Sequence, residues 1–293
     1  MDERVEHWIS ENQLFENGLS DIKLSLRVKK HLYSKRSDYQ QVEIFDTWGY
    51  GRVLQLDGVM QTTEKDEFVY HEMITHVPLL THPAPKKHLV IGGGDGGASR
   101  EALKHPLDIS YLVDIDEDVV SSSKQYLSKI GSEFENPRLK VNCTDGIQFM
   151  RDRKKEFDVI SVDSTDPIGP AVGLFSKEFY QDVFNALTDD GIMACQSESP
   201  FYYPNFIHDL HIKLGEIFPV VRLYTAVIPT YPGAYWSWTL ASKKHDPLDL
   251  PLAELQQRMA RRKINGLKWF SPEIYKSSFI LPPFVQQLLP KKK

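Results

Sequence analysis

From residue 88 onward, short apolar runs alternate with helical patterns, and this alternation limits the possible folds more than any other feature of the chain. The runs lie at residues 89–91, 109–113, 139–141, 157–162 and 192–194. Strands that alternate with helices usually form a parallel sheet, because each strand returns through a helix that covers one face of the sheet. We therefore predict an α/β fold with a mostly parallel sheet and helices on both faces.

The N-terminal segment has a different pattern, in which apolar and polar residues alternate. Positions 22, 24, 26 and 28 are all apolar, which is the period of a half-buried strand. Asp57-Gly58 lies between two further apolar runs and is typical of a tight hairpin turn. A helical stretch follows from about residue 66 to 77, and we expect Pro78 to end it. We predict a small antiparallel β domain over residues 1–65 and an α/β domain with a C-terminal tail over residues 66–293.

Composition and charge exclude several classes of protein. The 293 residues include 35 Lys or Arg and 40 Asp or Glu, whereas nucleic-acid-binding domains are usually basic. Two cysteines are too few for a disulfide framework and favour a reducing compartment. The first residues are too charged for a signal peptide, and the uncharged run 223–242 is interrupted by Pro229, Pro232 and Gly233, which disfavours a membrane span. We expect a cytoplasmic protein that binds neither nucleic acid nor membranes.

A glycine-rich loop, Gly-Gly-Gly-Asp-Gly-Gly at residues 92–97, directly follows the first apolar run. Gly92, Gly94 and Gly97 fit the G-x-G-x-x-G pattern, which lets a chain turn off a strand and lets a ligand approach the backbone. The pattern alone is weak, but Asp114 ends the next apolar run about 20 residues after Gly94, where a carboxylate can accept hydrogen bonds from ribose hydroxyls. A bound nucleoside explains this pair better than a solvated strand end does.

Further acidic residues follow the other apolar runs. Asp145-Gly146 comes after the third run, Asp163 and Asp166 come after the fourth, and Asp95 lies within the glycine loop. Because the carboxyl ends of parallel strands meet at one edge of a sheet, we expect these carboxylates to share one rim. Asp95 would repel the pyrophosphate of a dinucleotide but would attract a cationic ligand. The alternative for Asp163 and Asp166 is turn formation, which is common for Asp before Pro.

These stretches resemble those of the spermidine synthases, the putrescine aminopropyltransferases. The similarity includes the glycine loop, Val-Asp-Ile-Asp at 113–116 and Asp-Ser-Thr-Asp-Pro-Ile-Gly-Pro at 163–170. Further matches are Ser-Asp-Tyr-Gln at 37–40, Leu-Asp-Gly-Val-Met-Gln at 56–61, Asp-Glu-Phe-Val-Tyr-His-Glu-Met at 66–73 and Pro-Thr-Tyr-Pro-Gly at 229–233. The resemblance spans nearly the whole chain and implies a small β domain before a Rossmann-like domain.

The resemblance implies aminopropyl transfer from decarboxylated S-adenosylmethionine to putrescine, which gives spermidine and methylthioadenosine. It implies no metal and no cofactor, since the nucleoside is a co-substrate, and it implies a homodimer or homotetramer. Asp163 would be the base, and Tyr70 would orient it. The other implied roles are nucleoside binding by Gln40, Gly92, Gly94, Asp114, Asp145, Gly146 and Pro170, and amine binding by Gln61, His71, Asp95, Asp166, Gln196 and Tyr231.

The chemistry of this transfer needs a base but no acid. The leaving group is a neutral thioether, whereas the attacking amine has a pKa of about 10 and arrives mostly protonated. Nearby carboxylates attract the diamine but also stabilise its charged form. We therefore expect Asp95 to hold the ammonium that does not react, while Asp163 takes the proton from the attacking nitrogen.

Two alternatives stay open. An S-adenosylmethionine-dependent methyltransferase of a small amine could share the fold, but it needs a partner for the methionine carboxylate, and residues 163–176 contain no Lys or Arg. A non-catalytic nucleoside-binding protein would be expected to lack Asp163 or Tyr70. The acceptor could be putrescine, cadaverine, agmatine or spermidine. Asp114 departs from the family, which more often has Glu at this position, and its shorter side chain puts the ribose contact in doubt.

Overall fold

The computed structural model describes residues 7–166 and 169–290. The first of its two sheets contains five described strands, and each strand pairs with its neighbour in the chain in the antiparallel direction. Asp57 and Gly58 have positive φ angles of 46° and 86° and form the predicted turn between the last two strands. The strands are β1 (Trp8–Gln13), β2 (Ile22–Arg36), β3 (Gln41–Thr47), β4 (Gly51–Leu56) and β5 (Val59–Thr63).

The second sheet contains each of the five predicted apolar runs as a strand. The strands are β6 (Lys87–Gly92), β7 (Ile109–Asp114), β8 (Leu139–Cys143), β9 (Phe157–Asp163), β10 (Leu187–Gln196), β11 (Val220–Val227) and β12 (Tyr235–Ser242). Their order in the sheet is β11-β12-β10-β9-β6-β7-β8, in which the pairs from β10 to β8 are parallel and β12 pairs antiparallel with both neighbours. The predicted fold class, an antiparallel sheet before a mostly parallel one, is confirmed.

Helices cover both faces of the second sheet, as predicted. Along β6, Val90 packs into one apolar cluster while Leu89 and Ile91 pack into the other, as the two-residue period of a strand requires. The first cluster contains side chains of the helices at residues 67–81, 97–102, 252–262 and 272–278, and the second those of the helices at residues 146–150, 177–186 and 204–215. The helices are α1 (Glu67–Thr81), α2 (Gly97–Ala102), α3 (Glu117–Tyr126), α4 (Gly146–Met150), α5 (Lys177–Ala186), α6 (Pro204–Gly215), α7 (Leu252–Arg262), α8 (Pro272–Ser278) and α9 (Pro283–Gln286).

Helix α1 continues past the proline that was expected to end it. Pro78 lies inside the helix, which runs on to Thr81. Proline cannot donate to the carbonyl of Ile74, four residues earlier, but the Ser161 hydroxyl lies 3.4 Å from that carbonyl oxygen and donates to it. Almost every residue of α1 is buried, so the expected end at Pro78 is wrong because packing outweighs the lost backbone hydrogen bond.

The first sheet packs against the domain that contains the second sheet, and α3 forms the contact. Val42 and Ile44 of β3, with Leu54 of β4, form an apolar cluster with Val119 of α3 and with Ile130, just beyond that helix. The first sheet ends at Thr63 and α1 begins at Glu67, while the division at 65/66 stays a prediction. Within residues 7–166 and 169–290, no helix is both long and apolar enough to span a bilayer.

Candidate active site

A cleft of about 1020 Å³, partly open to solvent, lies at the carboxyl ends of β6, β7 and β9. This is the edge where open parallel sheets bind ligands. A second pocket of about 370 Å³, also partly open to solvent and called here the inner cavity, adjoins it and shares Gln61, Tyr70, Ser164, Thr165 and Tyr231 with the cleft. The cleft collects most of the predicted site residues: Gln40, Gln61, Tyr70, His71, Gly92, Gly94, Asp95, Asp114, Asp145, Gly146, Asp163 and Tyr231.

The remaining predicted residues are Asp166, Gln196 and Pro170. Asp166 and Gln196 line the inner cavity. Pro170 belongs to a 3₁₀ helix, Gly169–Phe175, but its side chain lies outside the part of the chain that the structure describes. The structure thus gathers the described candidates at one edge of the sheet, and the role of each stays a prediction.

The glycine loop is pressed against the end of β9. Gly92 has a φ of 80°, and a β-carbon there would lie 2.1 Å from the backbone oxygen of Asp163. The next residue, Gly93, donates its N–H to the same oxygen at 2.9 Å. No side chain fits between the loop and the strand, and this contact places Asp163 beside the loop.

Asp114 lies at the end of β7 and accepts two backbone hydrogen bonds. Its Oδ2 accepts from Gly94 N at 2.9 Å, and its Oδ1 accepts from Asp116 N at 2.9 Å. Burial raises the pKa of Asp114 to about 6, although the two N–H donors oppose that change. A carboxylate oxygen accepts more than one hydrogen bond, so both oxygens can still accept from ribose hydroxyls.

Asp116 was not among the predicted site residues, yet it orients one of them. Its Oδ2 accepts from Ser37 Oγ at 2.7 Å and from Gln40 Nε2 at 3.0 Å, while its Oδ1 caps α3 by accepting from Asp118 N. The amide nitrogen of Gln40 is thereby engaged, which leaves its Oε1 as an acceptor in the cleft. The sequence signal was the position of Asp116 directly before a helical pattern, which is typical of a capping residue.

Asp145 and Gly146 form the next part of the rim. Asp145 accepts from Ile147 N at 2.7 Å and so caps α4. A β-carbon at position 146 would lie 2.6 Å from Ile91 Cγ2, so glycine lets α4 begin directly against β6. The two residues line the cleft on the side of Ile147.

Tyr70 and Asp163 meet where the cleft joins the inner cavity. The Tyr70 hydroxyl donates to Asp163 Oδ1 at 2.6 Å. Burial and the charge of Asp163 keep the pKa of Tyr70 well above its usual range, so it stays a donor. Burial, followed by the charge of Asp95, raises the pKa of Asp163 to about 6, while His71 and the Tyr70 hydrogen bond oppose that change. A base at this position would have a fixed orientation and an increased proton affinity, and the role of Asp163 as that base stays a prediction.

Both ring nitrogens of His71 face carboxylates rather than the open cleft. Nε2 lies 3.2 Å from Asp95 Oδ2, and Nδ1 lies 2.6 Å from Glu67 Oε2. The other oxygen of Asp95 accepts from Gly97 N at 2.8 Å. A contact between an amine and His71 would therefore pass through Asp95, which lines the cleft in front of the imidazole.

The inner cavity is acidic, and sequence reasoning missed two carboxylates: one that lines it, and one that is bonded to Gln196 in its wall. Glu11 lines it and accepts from Met60 N at 2.7 Å; burial raises the pKa of Glu11 to about 7. Glu198 is buried and exchanges two hydrogen bonds with Gln196, of 2.9 Å each. Burial and the neighbouring Asp166 raise the pKa of Glu198 well above its usual range.

Different signals could have found these two residues. Glu198 comes two positions after Gln196, just beyond the fifth apolar run. Because ligands bind at the carboxyl ends of parallel strands, the search for acidic residues after each run should have included it. Glu11 lies on β1, far from any motif, and reaches the cavity only because β1 packs near β5. Fold and cleft together define an α/β enzyme with its ligand site at the carboxyl ends of the strands.

Comparison with known proteins shows the family. Residues 7–64 match the spermidine synthase tetramerisation domain, and residues 67–250 match the spermine/spermidine synthase domain. The polyamine aminopropyltransferase of Thermoanaerobacter pseudethanolicus (strain ATCC 33223 / 39E) is 48% identical over 97% of this chain and 99% of its own length. That of Clostridium kluyveri (strain NBRC 12016) is 46% identical over 96% and 98%.

Solved structures agree with this result. A spermidine synthase in complex with the transition state analogue AdoDATO superposes with a TM-score of 0.90 and 38% identity, over 97% of this chain and 95% of that one. Spermidine synthase from Thermotoga maritima gives 0.89 and 38%, over 97% and 94%. The chain belongs to the spermine/spermidine synthase family, and it is an enzyme of the polyamine aminopropyltransferase kind.

Proposed function

We propose that this enzyme transfers the aminopropyl group of decarboxylated S-adenosylmethionine to putrescine, giving spermidine and methylthioadenosine. The observation that carries the proposal is the position of the Tyr70–Asp163 hydrogen bond, between a cleft with nucleoside-binding features and an acidic inner cavity. A nucleoside in the cleft and a diamine in the inner cavity would meet at Asp163.

The reaction balances without a cofactor or metal. The neutral nitrogen of putrescine attacks the methylene carbon next to the sulfonium, the carbon–sulfur bond breaks, and its electron pair stays on sulfur as a neutral thioether. The attacking nitrogen becomes neutral beforehand by passing one proton of its ammonium form to Asp163, whose orientation is fixed by Tyr70, and after the attack it carries the positive charge as a secondary ammonium. Much of the acceleration would come from holding nitrogen, carbon and sulfur in line.

The far end of the diamine would lie in the inner cavity. Asp166 and Glu11 line this cavity and supply the carboxyl groups that would hold an ammonium there. The depth of this cavity would select for amine length, and putrescine is the acceptor that we propose.

Product analysis tests the proposal. The enzyme is incubated with decarboxylated S-adenosylmethionine and either putrescine, cadaverine, agmatine or spermidine, and products are separated by chromatography. We expect spermidine and methylthioadenosine in equal amounts, and Asp163→Asn should lower kcat by roughly 10²–10⁴-fold. Methyl transfer from intact S-adenosylmethionine would favour the methyltransferase alternative, and methylthioadenosine binding without turnover would favour a non-catalytic protein.

We also propose a cytoplasmic homodimer or homotetramer that associates through the first sheet. Large apolar side chains are exposed in this part of the chain: Ile22 begins β2, and Leu19 and Trp48 lie in loops next to the strands. Exposed apolar surface is typical of an interface. The matching family model for residues 7–64 is named for tetramerisation. Light scattering after size exclusion measures the mass, and a monomer at micromolar concentration would contradict this proposal.

A further inference from the structure

A row of alternating charges runs from the cleft into the protein interior. It consists of Asp95, His71, Glu67 and Arg100, named here the buried ion chain. His71 joins Asp95 and Glu67 as described above, and Arg100 donates to both oxygens of Glu67, from Nη1 to Oε1 at 3.2 Å and from Nη2 to Oε2 at 2.8 Å. His71 and Glu67 are 2% and 8% exposed, so water screens these charges little.

The contacts determine the protonation state of His71. An ionised carboxylate only accepts hydrogen bonds, so an imidazole between two ionised carboxylates donates from both nitrogens, which makes it a cation. Glu67 does not supply a proton instead, because Arg100 already donates to both of its oxygens. Burial disfavours the charge on His71, but Asp95 and Glu67 outweigh it and raise the pKa of His71 to about 10.

Arg100 is itself held in place from other directions. Its Nε donates to Glu101 Oε1 at 2.8 Å, and its Nη1 donates to the backbone oxygen of Ile130 at 3.0 Å. The guanidinium therefore cannot follow Glu67 if that side chain moves, and it presents two fixed donors to it. These donors fix the Glu67 carboxylate in the position where Oε2 also contacts His71 Nδ1.

The titratable groups around His71 come from three elements. Helix α1 contributes Glu67 and the Tyr70 ring, whose centroid is 5.5 Å from the imidazole. The glycine loop contributes Asp95, and the end of β9 contributes Asp163, whose proton affinity is raised by Asp95 and lowered by His71. An uncharged His71 would leave Asp95 and Asp163 as uncompensated like charges in one cleft, and one of them would then take up a proton.

We propose that Glu67, locked by Arg100, is a positioning residue that holds His71 as a permanent cation, and that this cation keeps Asp163 free of its proton and able to act as the base. The second half rests on the proposed function of Asp163. The positive charge of His71 then compensates the negative charge of Asp95, so Asp95 is not a free anion. Glu67 acts through His71 and touches neither substrate.

The first experiment measures the protonation of His71 directly. Imidazole nitrogen NMR of histidine-labelled protein, assigned by the loss of one signal in His71→Gln, is recorded from about pH 6 to pH 9. We expect both His71 nitrogens to stay protonated across this range in the wild type and to lose a proton within it in Glu67→Gln. Glu72→Gln is the matched control, because Glu72 is a buried glutamate of the same helix that binds the backbone of residues 268–270 instead.

The second experiment measures the consequence for Asp163. Glutamine at position 71 keeps a hydrogen-bond donor but carries no charge at any pH. In His71→Gln the acidic limb of the kcat profile, and the carboxyl carbon NMR titration of Asp163 in the free enzyme, should both move to higher pH by at least about one unit. A general loss of packing would lower kcat without moving this limb.

The outcomes separate this inference from the proposed function. A neutral His71 in the wild type at about pH 7.5, or a Glu67→Gln enzyme that keeps both protons to about pH 9, would overturn the role of Glu67. If Glu67→Gln does not fold, the wild-type spectrum and His71→Gln still decide each half. An unmoved Asp163 titration in His71→Gln would overturn the second half. Failure of all amines as acceptors would refute the proposed function alone, since both NMR titrations are independent of turnover.

Discussion

Replacing Asp163 by asparagine should stabilise the protein while it removes most of the activity. Burial and the negative charge of Asp95 both disfavour an ionised Asp163, and the Tyr70 hydrogen bond offsets them only in part. Asparagine has nearly the same shape, still accepts from Tyr70 through Oδ1 and has no charge to desolvate. The site therefore holds a charge that the fold would be more stable without.

The magnitude follows from the pKa of Asp163. Raising it from 3.8 to about 6 corresponds to ~3 kcal/mol, at about 1.4 kcal/mol for each pH unit. The folded state binds the proton more tightly than the unfolded state, so the cost is absent below about pH 4, grows between about pH 4 and 6, and is complete above about pH 6. The change in the free energy of unfolding caused by Asp163→Asn should accordingly be up to ~3 kcal/mol more favourable at pH 8 than at pH 4.

Urea unfolding at these two pH values, at one fixed protein concentration, measures the difference. Asp152→Asn is the matched control, because Asp152 is exposed at a turn, where asparagine is equally suited to its positive φ of 63°. We expect the effect of the control substitution on the free energy of unfolding to be the same at both pH values. A gain in Asp163→Asn that is equal at both pH values, or a loss at pH 8, would refute the account of Asp163 as an electrostatically strained base.

Three further changes probe the cleft and the inner cavity. Asp114→Asn should weaken methylthioadenosine binding by ~1.5–3 kcal/mol in calorimetry, the range for a charged hydrogen bond, and unchanged affinity would exclude Asp114 as the ribose acceptor. Gly94→Ala should weaken the same binding and lower the unfolding free energy by ~1–3 kcal/mol, because its β-carbon would lie 2.6 Å from Asp114 Oδ2 and 2.9 Å from Val119; a variant that binds and unfolds like the wild type would contradict this. Asp166→Asn should raise the KM for putrescine but spare methylthioadenosine affinity, since Asp166 lines the inner cavity, and an equal loss of both would argue against separate subsites.

The fold and the rim of the site could be predicted because both depend on local patterns. Period-2 alternation and apolar runs identified the strands, and parallel strands necessarily bring their carboxyl ends to one edge. Asp114, Asp145 and Asp163 each end or directly follow such a strand, so their convergence in the cleft needed no knowledge of distances. The resemblance then added Gln40 and Tyr231, which no pattern around them marks as site residues.

What could not be predicted depends on contacts between distant segments. Glu11 reaches the inner cavity through Met60, and Ser161 donates to a carbonyl of α1 that Pro78 cannot serve. Both contacts join elements far apart in the chain, and neither follows from a local period. The two nitrogens of His71 face Asp95 and Glu67, and this row of alternating charges forms only once the helix and the loop are packed together. The amine-binding role of His71 stays a prediction.

The cost that Asp163 imposes on the fold can be related to the reaction. An alkylammonium has a pKa of about 10, so passing its proton to a carboxylate of pKa 3.8 would cost ~8 kcal/mol before any bond forms. With the pKa of Asp163 raised to about 6, the same transfer costs ~5 kcal/mol. The difference of ~3 kcal/mol equals the destabilisation expected from the buried charge, because both follow from the same shift in proton affinity. A free anion at Asp95 would raise the pKa of the amine as well, and the His71 cation behind it limits that effect while it keeps Asp163 ionised. If Asp163 is the base, catalysis in this cleft depends on raising the proton affinity of one carboxylate while the charge of its neighbour Asp95 is compensated by His71.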